Sequence, residues 1–248
     1  MLKREPLLTE AFFDEDIDTD AEEILQYQKM IQNPPPHFRV DLAHFVLFGL
    51  RYRSLFSKYS RGYSIEELKS DFLALVDALE KYRTYPDPDG DEEGLFFNGE
   101  QDEYMQAVAL VSLALLLHVD LDVFRRLVAA TRANGQDYVL EWLIGRRLPD
   151  RPQTTQLLFP KTYARLRDAI QAPLDLQPQL LRSFLAGWYE SVDTVWYNIH
   201  AHRSDAAGFT GYWCWEAAAA AYALGLDDTE LQTMRYYPKD LADYAYGS

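Results

Sequence analysis

Cysteine occurs once in this chain, at Cys214, which excludes an internal disulfide and any zinc cluster built on thiolates. No glycine-rich phosphate loop, P-loop or Gly-x-Ser-x-Gly elbow is present, so the usual nucleotide-binding and serine-hydrolase signatures are missing. No segment keeps up an alternation of apolar and polar residues, so no strand is predicted. The longest apolar run, near Ala107–Leu117, is interrupted by Ser112 and is too short to cross a bilayer. Met1-Leu-Lys-Arg-Glu-Pro lacks the apolar run of a signal peptide, and a soluble, cytoplasmic protein is expected. No repeat recurs at a fixed period. Base is scarce: 24 Lys and Arg stand against 39 Asp and Glu, a net charge of −15 over 248 residues.

That negative charge is concentrated. Residues 1–23 hold nine acids against Lys3 and Arg4, and residues 87–103 hold eight acids and no base. The two stretches account for the whole excess, because the remaining 208 residues carry 22 acids and 22 bases. A neutral body with two anionic patches attracts a cationic partner. Nucleic acid and anionic membranes are disfavoured for the same reason. Apolar residues make up 48% of the chain, enough for a substantial folded core. With 17 tyrosines, 13 phenylalanines and five tryptophans, aromatic packing is expected to dominate it.

Helical spacing recurs along almost the whole sequence, and the fold class read from it is all-α, a bundle of antiparallel helices in two abutting halves. Phe38, Leu42, Phe45, Gly49, Tyr52, Phe56 and Tyr59 form one stripe of a long helix that Gly62 ends. Ser64-Ile-Glu-Glu67 is a capping-box pattern, opening a helix with the stripe Ile65, Leu68, Phe72, Leu75, Leu79 and Tyr82. Pro86–Asn98 reads as a loop, followed by a central helix, capped by Asn98 with Gln101, to about His118. Further helices are predicted at about 120–133, 136–146, 161–171, 177–191, 211–224 and 227–234, the last capped by Asp227. The three prolines of Arg147–Pro160 mark the boundary between halves. The expected parts are an acidic extension over 1–35, one helical domain over 36–146 and another over 147–248. Asp14–Glu23 reads as a flexible tail or as a helix starting near Thr19.

Each chemically suggestive cluster also has a plain reading. His200-Ala-His202 with Asp205 has the spacing of a metal pair, but the surrounding residues read as an exposed loop and no third histidine is close. Asp87, Asp89 and Asp91 alternate as in a calcium loop, yet Glu92 and Asn98 fall where an EF-hand needs glycine and glutamate. No metal or cofactor is expected. Glu216 precedes five alanines, Ala217–Ala221, on a helix that should be buried. A buried carboxylate with a raised pKa suits general acid chemistry, and it equally suits a structural hydrogen-bond hub. No second carboxylate or nucleophile lies beside it in sequence, and the structural role is favoured. Cys214 reads as a buried, inert thiol.

Several segments resemble a known family. Tyr59-Ser60-Arg61-Gly62 followed by Ile65-Glu66-Glu67-Leu68 resembles the N-terminal domain of PoNi-type immunity proteins. Gly211-Tyr212-Trp213-Cys214-Trp215-Glu216-Ala217-Ala218, then Leu226-Asp227-Asp228, then Tyr236-Tyr237-Pro238-x-Asp240-Leu241, resembles their C-terminal domain. The resemblance covers about residues 36–245 and leaves the acidic N-terminus without a counterpart. It implies a non-enzymatic, all-helical protein that binds and inhibits a cognate PoNe-type DNase toxin, as in interbacterial competition by type VI secretion. A nuclease groove that holds DNA is often basic, so carboxylates can occupy it. The motif residues Tyr59, Gly62, Tyr212, Trp213, Glu216, Asp227, Tyr237 and Pro238 are assigned to the fold. Partner binding is assigned to Asp87, Asp89, Asp91, Glu92 and Glu93, with Glu100, Asp102 and Glu103 behind them, and Asp14–Glu23 second. A homodimer stays open. The competing readings are a helical hydrolase using Glu216 with His200 and His202, and a scaffold that oligomerises through aromatic faces.

Overall fold

A computed structural model describes residues 2–85, 100–202 and 208–247, the side chain of His202 excepted. Among the described residues there are eleven α-helices and no strand. In chain order they are α1 (Glu10–Gln32), α2 (Val40–Arg61), α3 (Ile65–Tyr82), α4 (Gln101–Leu116), α5 (Leu121–Thr131), α6 (Tyr138–Gly145), α7 (Pro160–Gln171), α8 (Gln177–Ser191), α9 (Ile199–His202), α10 (Trp215–Leu224) and α11 (Lys239–Gly247). The chain forms two compact units, Met1–Glu92 with Asn198–Gly211, and Glu93–Tyr197 with Tyr212–Ser248.

The first unit is built on α1, α2 and α3. Thr9 caps α1 by accepting from the Phe12 N–H at 3.1 Å. The acidic N-terminus is thus mostly helix, and it begins well before Thr19. Two ion pairs and a hydrogen bond fix the α1–α2 register: Arg61 Nε donates to Asp14 at 2.7 Å, Ser57 Oγ to Asp16 at 2.7 Å, and Arg53 Nε to Asp20 at 2.9 Å. Positions rise along one helix as they fall along the other, which is the signature of an antiparallel pair. Lys58 with Asp71 at 2.7 Å, and Phe45 with Tyr82 at 5.3 Å between rings, set α2 against α3 in the same sense. The capping box at Ser64 and Glu67 is formed as expected.

Because α1 and α3 both pack on α2, the buried face of α2 differs from the stripe read in the sequence. Phe56 and Tyr59 of that stripe are buried, and so are Ala43, Leu47, Phe48, Leu50, Ser54 and Leu55 outside it, while Leu42 is 54% and Phe45 49% exposed. One helix flanked on two sides buries residues off a single 3.6-residue stripe.

In the second unit α4 is central. Every residue from Ala107 to Leu116 is buried, as its all-round apolar character requires. It packs against α10, α6, α5 and α11. The alanine run Ala217–Ala221 is 0% exposed and lets the α10 backbone approach closely. Residues 147–160, expected to divide two halves, lie inside this unit. Arg151 holds them to α6 with two bonds to Glu141, at 2.7 and 2.8 Å, and Tyr138 N–H donates to Gln156 O at 2.7 Å.

Other elements differ in extent. Residues 211–214 precede α10 as non-helical chain, tied by Cys214 N–H to Tyr236 O at 2.8 Å. Only Leu231–Thr233 of the helix expected at 227–234 is helical, as a 3₁₀ turn. The one-turn α9 stands where a loop was expected, and α11 was not anticipated. Asn98 lies outside the described residues, and α4 follows Glu100 without a side-chain cap.

Candidate functional site

The acids of α1 fall into two sets with different employment. Glu10 and Asp14 pair with Arg61, Asp16 accepts from Ser57, and Asp20 takes both oxygens to Arg53. Asp20 is fully buried, and burial raises its pKa while the Arg53 guanidinium pulls it back. Glu15, Asp18 and Glu22 are exposed. Their spacing of three and four puts them on one solvent-facing stripe.

Of the eight acids expected around residues 87–103, Asp87, Asp89, Asp91, Glu92 and Glu93 lie outside the described residues. Glu100 is exposed. Asp102 and Glu103 are half-buried in the first turn of α4. Asp102 accepts from the Val195 N–H at 3.4 Å, and burial raises its pKa. Asp102 therefore has local structural work that the charge count did not indicate.

The motif residues sit where the fold needs them. Gly62 ends α2 with φ 105°, and a Cβ there would lie 2.1 Å from Leu2 O. Arg4 and Glu5 N–H both donate to Ser60 O, at 2.9 and 3.1 Å. The Arg4 guanidinium lies 4.6 Å over the buried Tyr59 ring. Tyr59-Ser60-Arg61-Gly62 is thus the dock for the chain's first residues.

In the second unit Glu216 is 3% exposed and accepts from Trp188 Nε1 at 2.8 Å. Burial pushes its pKa up to about 7, and the hydrogen bonds from its own backbone and from Trp188 oppose that rise. Cys214 is buried and its thiol is held well above its ordinary pKa by burial. Tyr212 and Trp213 are buried, Tyr212 against Trp196 at 4.6 Å and Tyr189 at 4.8 Å. Tyr237 donates to Asp228 at 2.7 Å, and Pro238 is buried. Asp227 is exposed and accepts from Thr229 N–H and Oγ1.

Buried acids to which the sequence reading gave no role include Asp137 and Asp228. Asp137 caps α6 at Leu140 N–H and also receives the Tyr104 hydroxyl at 2.7 Å and Leu158 N–H at 3.0 Å. Its place just before an apolar helix was the available signal. Asp228, beside the expected Asp227, is the buried partner of Tyr237. His200 lies in the first unit with its ring 5.8 Å from Phe209, and Glu216 lies in the second. Among the described residues no three His, Cys, Asp or Glu side chains gather as a metal site would need. Among them, too, no helix is long and apolar enough to cross a membrane.

The family model for the N-terminal part of PoNe immunity proteins (PoNi) matches residues 4–129, and that for the C-terminal part matches residues 135–241. The chain belongs to the PoNe immunity protein family, and the match takes in the acidic N-terminus that the motif resemblance left out. Among solved structures it is similar to protein PA2201 from Pseudomonas aeruginosa, with a TM-score of 0.79 at 19% identity. That likeness covers 99% of this chain and 92% of the other, and it concerns the fold. No match was found among the curated proteins compared.

Proposed function

We propose that this protein binds a cognate PoNe-type DNase toxin in the cytoplasm and inhibits it through carboxylates presented to the basic nuclease groove. Family membership with a charge excess confined to two segments carries this reading. The acids of 87–103 are the first contact and the outer stripe of α1 the second. Nucleic acid is not a partner, because the excess charge repels it. No catalysis is assigned to the chain: Glu216 is sealed under Trp188, whereas a general acid must reach its substrate. Interbacterial competition, with the toxin delivered by type VI secretion, is the setting the family resemblance implies.

The test is DNA degradation by the cognate PoNe-type toxin domain, with and without the purified protein. Full protection at equimolar ratio is expected. Replacing Asp89, Asp91, Glu92 and Glu93 by their amides should slow association, because long-range attraction steers encounter. The wild-type on-rate should fall as salt shortens the Debye length from roughly 30 Å at 0.01 M to about 8 Å at 0.15 M. An unchanged on-rate in the quadruple variant would remove the loop from the mechanism. Failure to protect DNA would overturn the inhibitor reading itself.

A further inference from the structure

We propose that a cavity in the second unit binds a small phosphate monoester carried on a planar ring, a ligand of nucleoside monophosphate size. The cavity holds about 730 Å³ and is lined by residues that include His118, Gly145, Arg146, Arg147 and Tyr222. That volume falls in the ordinary range for small-molecule sites, roughly 300–1,000 Å³. No carboxylate is among its described lining residues, in a chain where acids outnumber bases 39 to 24.

The two arginines are consecutive, and both are held in place. Arg147 Nη1 donates to Val119 O, and its guanidinium lies 5.3 Å from the centre of the Phe124 ring. Arg146 Nε donates to Trp142 O at 3.2 Å, and its guanidinium lies 4.6 Å over the Trp142 ring. A guanidinium carries five N–H donors, and each of these bonds uses one. The C-terminal ends of α4 and α6 bring about half a negative charge each, which two full positive charges outweigh. Fixed, planar forks of this type suit phosphate oxygens.

His118 follows the C-terminus of α4 in the left-handed region, at φ 48°. Glycine takes that conformation freely, and a histidine there stores backbone strain. Its ring is 5.3 Å from Tyr222 and 6.3 Å from Tyr244. An imidazole and a phenol at the cavity wall offer faces on which a planar ring can stack. Two guanidinium groups and two aromatic rings lining one cavity define the proposed ligand.

Titration calorimetry of the full chain with AMP, adenosine and inorganic phosphate tests this. AMP should bind saturably, and adenosine and phosphate about tenfold or more weaker, since each lacks half of the recognised chemistry. Arg146→Ala and His118→Gly should each weaken AMP by about tenfold or more with the melting transition retained. Gly145 offers a steric control: a Cβ built there meets nothing within 4 Å, so Gly145→Leu enters open space at the wall and should block binding without disturbing the fold. Absence of saturable AMP binding, adenosine or phosphate matching AMP, or unchanged affinity in Gly145→Leu would each overturn the proposal.

Discussion

Trp188 donates its indole N–H to Glu216 Oε1 over 2.8 Å, inside a shell where both side chains are nearly inaccessible to water. The two come from different helices, α8 and α10. Their bond spans the packing that places the alanine face of α10 in the core. The N-terminal turn of α10 favours a charged carboxylate there, and burial disfavours it more strongly.

This balance predicts a pH-dependent stability with a definite sign. Glu216 has a folded pKa of about 7 against an ordinary 4.5, so the folded state holds its proton more tightly than the unfolded state does. The associated stability is fully present below about pH 4.5 and is lost as pH rises through 7, on the order of 3 kcal/mol in all. Glu216→Gln cannot ionise but can still accept from Trp188. Denaturant titrations across pH 4.5–8 should show this component flattened in the variant. Below about pH 4.5 Glu216→Ala should be less stable by about 1–3 kcal/mol, because it strands the buried indole N–H, and this deficit should shrink as pH rises through 7, where only the wild type loses stability to ionisation.

The α1–α2 register predicts a second effect. Asp20 is fully buried on the strength of Arg53, which is itself about one-third exposed. Arg53→Met should leave a buried carboxylate without its cation and cost about 2–3 kcal/mol, below the roughly 3–5 kcal/mol of a fully buried pair. Combining it with Asp20→Leu should recover most of the loss. Chemical denaturation of the double-mutant cycle measures this, and two strictly additive losses would refute the coupling.

Helix type and approximate extent were legible because capping boxes, glycine stops and apolar stripes are local signals. Ser64, Glu67 and Gly62 do locally what their chemistry dictates. Burial on α2 was legible only in part: Phe56 and Tyr59 of the stripe are buried, whereas Leu42 and Phe45 stay about half exposed, because a helix does not encode which of its flanks will be covered. The division of the acids was hidden for the same reason. Charge counting cannot tell Asp20 from Asp18, which differ only in facing Arg53 or solvent. The burial of Glu216 was legible from its alanine context, and the residue is 3% exposed. Asp137 was passed over although it stands just before an apolar helix, and Asp228 because two adjacent acids do not show in sequence which one turns inward.

Gly62 carries a prediction of its own. At φ 105° with Leu2 O in the path of a Cβ, Gly62→Ala must strain the backbone and displace the first residues. A loss of about 1–3 kcal/mol is expected. The bonds from Arg4 and Glu5 to Ser60 O should open with it, so limited proteolysis should cut the N-terminal residues ahead of the rest of the chain. A variant as stable and as protected as wild type would show that this dock does not matter.

The two acid sets on α1 predict opposite phenotypes from chemically identical changes. Neutralising the outer stripe, as Glu15→Gln with Asp18→Asn and Glu22→Gln, removes three exposed charges that hold nothing in the fold. Stability should stay within about 0.5 kcal/mol of wild type. If the stripe steers the toxin, the association rate at low salt should drop several-fold, while dissociation changes little. Neutralising the inner set, as Asp16→Asn with Asp20→Asn, removes partners of Ser57 and Arg53 and should lower stability by a few kcal/mol. Its effect on association should follow the fraction folded and not the salt concentration. Stopped-flow association at two ionic strengths, alongside denaturant melts of both variants, separates the two. An outer-stripe variant with wild-type kinetics at low salt would leave the acids of 87–103 as the sole carriers of the proposed steering.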